Sequence, residues 1–390
     1  MNKVKLGEIA ELITKGTTPT SLGFNFQESG INFIKIESIS EEGQFFIDKF
    51  AQISTECHEK LKRSQLKEND VLFSIAGAIG RVAVVNDEIL PANTNQALAI
   101  IRIPKGIIDY QFLALLLKSE KITSQYNRKK QGVAQINLSL KDISELEIVI
   151  PDVEVQKQII EKIYKIDDII YKTEQQIINL DILIKSRFVE MFGDWFTNPN
   201  KYKTDKLESH IDIISGYPFE SSLYVEEGIN ICGGLIILPH YINWNECKHW
   251  NTTIGFEEYM LDENDIVMAL DRPWISEGFK ISKIDRSHLP ALLIQRTARI
   301  RAKDINQEYL YYCFDNCGFE RHCNVTGSLV PHISLKDIKS FVVMLPPIEL
   351  QNQFADFVTK VEQQKATVQK SIEKLETLKR SLMQEYFGGA

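Results

Sequence analysis

Residues 135–143 read "QINLSLKDI", and residues 331–338 read "PHISLKDI". The shared "SLKDI" begins at Ser139 and again at Ser334, 195 residues on, which is half of a 390-residue chain. Self-similarity at a fixed period has to be recognised before single elements are assigned. The same offset holds well outside the phrase. "ENDVLFS" from Glu68 answers "ENDIVMA" from Glu263, Gly132 answers Gly327, and Pro151 answers Pro346. Glu154, Gln156 and Gln158 answer Glu349, Gln351 and Gln353, and "EMFGD" from Glu190 answers "EYFGG" from Glu385. The starts correspond more loosely, as "KLGEIAELITKGTTP" from Lys5 against "KLESHIDIISGYPF" from Lys206.

Each half therefore has one plan. "INFIKIESI", "VLFSIAG", "RVAVV" and "ALAIIRI" are short Val-, Ile- and Phe-rich runs and predict strands. "YQFLALLLKSEK" predicts a helix, and "ISELEIVIP" a last strand stopped by Pro151. A long helix follows in each half. Pro151 and Pro346 suit its entry, and Glu154 and Glu349 suit its positive end. Apolar residues then step by four and three: Ile159, Ile163, Ile166, Ile170, Thr173, Ile177, Leu180, Ile184. The second copy reads Phe354, Val358, Val361, Lys365, Val368, Ile372, Leu375, Lys379. This is a heptad seam of about four heptads. Lys365 and Lys379 interrupt its apolar character, and a lysine at such a position can fix register. From Glu154 to Met191 such a helix is about 57 Å long at about 1.5 Å per residue. Ile160, Ile169, Ile178, Leu183 and Phe188 widen the first stripe towards a further partner. The expected fold is α+β: two tandem α/β domains, 1–151 and 194–346, separated by two long antiparallel coiled-coil helices, 152–193 and 347–390, as a pseudo-two-fold internal repeat.

The hydrophobic fraction of 44% and charged fraction of 25% are those of a globular protein. No apolar run is long enough to span a membrane, and the N-terminus lacks a signal-type apolar core, so a cytoplasmic protein is expected. Cys313, Cys317, His322 and Cys323 cluster, but "YLYYCFDNCGF" is apolar, and small buried thiols fit better than zinc. Two catalytic near-misses fail against the repeat. "LDRPW" from Leu270 lacks a proline of the adenine-methyltransferase element, and its counterpart is the Ala/Gly-rich stretch around Ala76. "PDVEVQK" from Pro151 has the wrong nuclease spacing and becomes "PPIELQN" in the second half. The chain is read as non-catalytic and metal-free. Two diverged copies on a rigid spacer point to reading two related things at a fixed distance. The rival is a two-domain coiled-coil adaptor for proteins.

Candidate contacts collect in the segments that differ between the halves. In the first they are Lys15, Thr17, Thr18, Arg81, Asn93, Asn95, Gln96, Arg128, Lys129, Lys130, Gln131, Gln135 and Asn137. In the second they are Arg272, Trp274, Gln295, Arg296, Arg321, His322, Asn324, Thr326, Ser328 and His332. Lysine and arginine suit phosphates, and Asn and Gln amides suit adenine edges. A kept scaffold with varied loops is how recognition surfaces are built. The net charge of −8 runs against a simple basic nucleic-acid binder.

The duplicated "SLKDI", the paired P-x-x-E-x-Q-x-Q helix starts, the ENDV/ENDI strands and the two heptad helices ending in "FG" together resemble the specificity subunit of type I restriction–modification systems. The resemblance covers essentially the whole chain. It implies two target-recognition domains, each reading half of a bipartite site in double-stranded DNA. It implies a coiled coil that sets the spacer and docks two methyltransferase subunits, with restriction subunits added. S-adenosylmethionine, ATP and Mg then belong to those partners, not to this chain. Two readers on one face of DNA sit about 34–36 Å apart, which a helix of that length bridges.

Overall fold

The computed structural model describes residues 2–128, 137–316, 318–323 and 332–388. The chain divides into two compact units, one of Met1–Glu174 with Lys370–Ala390 and one of Gln175–Gln369.

The first unit holds a four-stranded antiparallel sheet ordered Leu12–Lys15, Leu98–Arg102, Val71–Ser74, Val82–Val84. A three-stranded sheet is ordered Ala51–Ile53, Ile31–Ile34, Ala92–Thr94, its last pair parallel. A third ladder joins Asn2–Lys5 to Glu147–Ile150, with Lys3 opposite Val149. The second unit repeats all three in the same order. Ile211–Ser215, Thr297–Ala302, Ile266–Ala269 and Ile281–Lys283 form the first. Lys248–Trp250, Ile229–Cys232 and Ala291–Leu293 form the second, and Lys203–Lys206 with Val342–Leu345 the third.

Strand Val71–Ser74 is buried at all four positions, as its unbroken apolar run requires. Two sequence readings change. "INFIKIESI" leaves the sheet after Ile34 for a 3₁₀ turn, Ile36–Ser38. "YQFLALLLKSEK" is two helices, Tyr110–Leu117 and Glu120–Asn127, because Ser119 takes extended backbone and starts the second.

The repeated phrase is a clamp of side-chain to backbone bonds. The Ser139 hydroxyl accepts the Asp142 amide at 3.1 Å, and the Asp142 carboxylate accepts the Ser139 amide at 2.9 Å. Ser334 and Asp337 make the same box at 3.2 and 2.8 Å. Such reciprocal capping fixes where a short helix begins. Ile143 and Ile338 anchor those helices in the cores. The paired glutamines form a second clamp. Buried Gln156 accepts the Asp109 amide and donates to the Pro151 carbonyl, both at 2.8 Å. Gln351 does the same with the Asn306 amide and the Pro346 carbonyl.

The offset differs between the ends of each half, as the looser match of the starts implies. Leu6 and Leu207 donate to the carbonyls of Leu146 and Phe341, so the offset there is 201; it is 195 at Gln156. Asp70–Arg102 and Asp265–Arg301 are equivalent ion pairs. The loops absorb the difference in length.

The two long helices are α1 (Val153–Phe192) and α2 (Ile348–Phe387), 40 residues each. They run antiparallel within each unit. In the first unit Ile159 and Ile163 of α1 share a core with Phe387 of α2, whose ring lies 5.3 Å from Phe112. In the second, Phe188 and Phe192 of α1 meet Phe354 of α2 at 5.4 and 5.5 Å and Tyr309 at 5.7 and 4.8 Å. Each "FG" ending thus docks on the globular part of its unit. Along the seam Ile163, Ile166, Val358, Val361 and Ile372 are buried, and Ile170, Ile177, Leu180, Val368 and Leu375 half-buried. The two lysines meet aspartates: Lys379 binds Asp167 at 2.5 Å and Lys365 binds Asp181 at 2.7 Å. Burial opposes the Lys365 charge, but Asp181 and Glu362 outweigh it and hold its pKa above the usual lysine value. Of the residues that widen the first stripe, Ile160 and Phe188 are buried, whereas Ile169, Ile178 and Leu183 are exposed. Among the described residues no helix is long and apolar enough to cross a membrane.

Candidate nucleic-acid interface

In each unit the varied loops are tied to one another at one end of the four-stranded sheet. In the first unit the Gly16 amide donates to Asn95, Ile75 to Ala97, and Leu138 to Ile75. In the second, Gly216 donates to Thr297, Gln295 to Tyr217, Leu270 to Arg296, and Ile333 to Leu270. Four segments of sequence meet there on a shared backbone frame. Glycine is needed where two of them touch. A Cβ on Gly16 would lie 1.7 Å from the Thr94 carbonyl oxygen, and one on Gly216 2.1 Å from that of Ile294.

The candidate residues divide at this end. Lys15, Gln96, Arg128 and Asn137 are exposed, and Thr17, Thr18 and Asn95 half-buried. The Thr18 hydroxyl donates to the Gln96 side chain, which orients that amide. Asn95 accepts the Ala97 amide at 3.1 Å. In the second unit Arg272, Gln295, Arg296 and His332 are exposed. Lys129, Lys130, Gln131, Gln135, Asn324, Thr326 and Ser328 lie outside the described residues, as does Cys317.

Several candidates are placed as scaffold. Asn93 is fully buried in strand Ala92–Thr94, where its amide donates to the Leu61 carbonyl at 3.1 Å and the Ser64 hydroxyl at 3.0 Å. The polar run "PANTNQ" therefore contains a core strand and not only a loop. Arg81 donates to the carbonyls of Ile36 and Ile39, at 3.3 and 2.9 Å. Its counterpart Lys280 donates to the Gly234 carbonyl. Burial, reinforced by Arg272 nearby, lowers the Lys280 pKa. Both cations close the loop after the central strand of the three-stranded sheet. The His322 imidazole sits 3.0 Å from the Asp337 carbonyl oxygen and stacks on Phe319, which ties two helices together. Trp274 stacks on Phe279 at 4.9 Å, half-buried. The Arg321 guanidinium lies 5.1 Å over the Phe196 ring. Cys313 is in the core, and burial pushes the Cys323 thiol up to about 12.

One residue at this end escaped the sequence reading. Asp271 stands between two candidates, its carboxylate 3.0 Å from Arg296 and 2.6 Å from His332. A lone carboxylate does not suit contact with DNA phosphates. Its place inside "LDRPW", beside Arg272, was the available signal.

The two units keep one frame and exchange its loop-end side chains. A family model for the type I restriction modification DNA specificity domain matches residues 1–181 and 249–377. The chain belongs to that family. It is 32% identical over 163 residues to the Escherichia coli type I restriction enzyme EcoAI specificity subunit, covering 40% of this chain and 28% of that one. It is 24% identical to the Methanocaldococcus jannaschii MjaVIII specificity subunit over 97% of this chain and 90% of the relative. So it spans a little over a quarter of the first relative's length and nearly all of the second's. A chain solved in a study of complex assembly in the type I R-M system superposes with a TM-score of 0.64 at 18% identity, covering 99% of this chain and 97% of that one. That likeness concerns the fold.

Proposed function

We propose that this chain reads a bipartite site in double-stranded DNA, one half-site per recognition domain, 1–151 and 194–346. The helices 152–193 and 347–390 set the unread spacer and dock two methyltransferase subunits, and restriction subunits join that assembly in the cytoplasm. S-adenosylmethionine, ATP and Mg act on the partners. One observation carries the reading: the same hydrogen-bonded frame is built twice, and the side chains at its loop end are different each time. An adaptor with two equivalent protein-binding ends has no use for that pattern. The test is a methylome map from cells expressing this chain with its methyltransferase. Adenine methylation at one split motif with a constant spacer is the expected result; a stable complex that adds no methylation would overturn the reading.

Two sets of variants check the loop assignment. Gln135→Ala and Asn137→Ala are each expected to relax one half-site only, by about 1–3 kcal/mol per lost bidentate base contact. Competition between matched and mismatched half-sites measures this, and unchanged selectivity in both variants would reject the assignment. Lys129→Ala and Lys130→Ala are expected to weaken binding to every sequence and to reduce the salt slope by about one per lost contact. An unchanged slope would count against phosphate contact.

A further inference from the structure

The frame at the loop end allows a position-by-position comparison of the two units. The Leu270 amide donates to Arg296 and that of Ile333 to Leu270, as Ile75 donates to Ala97 and Leu138 to Ile75. The side chains on this frame are Ala76, Ala97 and Asn137 in the first unit. In the second they are Asp271, Arg296 and His332. A carboxylate, a guanidinium and an imidazole thus replace two alanines and an amide on the same backbone.

The trio is built in a particular way. One Asp271 oxygen lies 2.6 Å from His332 Nδ1, and the other 3.0 Å from Arg296 Nη1. The Arg296 side chain is still 73% exposed, against 34% for Asp271. Asp271 therefore touches Arg296 at Nη1, while most of that side chain stays exposed. The backbone carries a second sign. Arg272 and Arg296 have φ of 46° and 63°, left-handed conformations that arginine disfavours. At the place of Arg272 the first unit has Gly77, with φ 69°. Backbone this disfavoured persists only where the surrounding fold holds it, and it gathers at ligand-contacting loops.

We propose that Arg296, oriented by Asp271 and His332, is a specificity-determining residue that reads a guanine in the half-site taken by the second unit. The proposal rests on the DNA reading above and deepens it. A planar guanidinium edge offers two parallel donors, and guanine presents two acceptors, O6 and N7, to the major groove. Adenine presents an acceptor beside a donor, which the fork does not match. A phosphate contact would be opposed by the charge of the neighbouring carboxylate more strongly than contact with a neutral base edge. The first unit has no equivalent, so the guanine rule applies to one half-site only.

The test uses the chain assembled with its methyltransferase subunits, supplied with DNA in which both half-sites are randomised; methylated molecules are sequenced. The wild type is expected to require guanine at a position in one half-site. Arg296→Ala and Arg296→Lys should both lose that requirement, by about 10- to 100-fold, because a lysine ammonium is not a fork. Asp271→Ala should relax the same position less, and the other half-site should be unchanged throughout. Arg296→Lys keeps the charge, so it separates lost base reading from lost electrostatic attraction or misfolding. A wild-type motif without guanine in either half-site would overturn the proposal. So would an Arg296→Ala protein whose methylation falls equally on all sequences, or whose motif is unaltered. A wild type with no split motif at all would overturn the parent reading, and this one with it.

Discussion

Inserting four residues after Thr173 is expected to lengthen the unread spacer of the target by about one to two base pairs and leave both half-sites as they were. Four residues add about 6 Å of helix, against a rise of about 3.4 Å per base pair. They also make roughly one full turn, so the apolar face returns to the same side with a local stutter. Thr173 lies on the seam of α1, far along the chain from either set of recognition loops. No loop contact is touched, so base preference has no reason to move. Methylation of the original target should be lost, and a target with a longer gap gained. A methylome map of the variant reads both at once. A changed half-site would sink the idea that the helices act as a ruler.

The largest expected loss of stability comes from Asp70→Ala. Asp70 is fully buried and accepts Arg102 Nε at 2.7 Å and Nη2 at 2.6 Å, as well as the Lys67 amide at 2.8 Å. Removing it strands a largely buried guanidinium and leaves an amide without its acceptor. Breaking such a pair from one side costs about 3–5 kcal/mol. Asp265→Ala is the matched control in the second unit. There Arg301 has a second carboxylate, Asp262 at 2.7 Å, and is more exposed. That partner should hold the loss to about 1–3 kcal/mol. Denaturant titration of both variants checks the order, and an Asp265→Ala protein as unstable as Asp70→Ala would contradict it.

Much of the scaffold was legible because it depends on local chemistry. A serine three residues before an aspartate, a glutamine five residues after a proline, and apolar residues stepping by four and three need no distant partner to be understood. The coiled-coil helices and the duplicated plan follow from these. The short strands Asn2–Lys5 and Lys203–Lys206 carry no alternating apolar pattern; they exist because a distant segment, Glu147–Ile150 or Val342–Leu345, offers them a ladder. The loop end was harder for a related reason. Polar residues in a variable loop look alike whether they face outwards or tie the loop down. Arg81, Asn93 and His322 are drawn inwards by carbonyls or amides that sequence does not place beside them. Asp271 is not legible on its own, because its value lies in its neighbours, Arg296 and His332, which arrive from elsewhere in the chain.

The Lys379–Asp167 and Lys365–Asp181 pairs lie 14 residues apart on each helix. As exposed or half-exposed ion pairs they add little energy. Their worth is in what they forbid. Sliding the antiparallel helices by one heptad in one direction would set Lys365 against Phe188; in the other it would set Lys379 against Ile160. Either slip drives an ammonium into apolar packing that the correct alignment leaves dry.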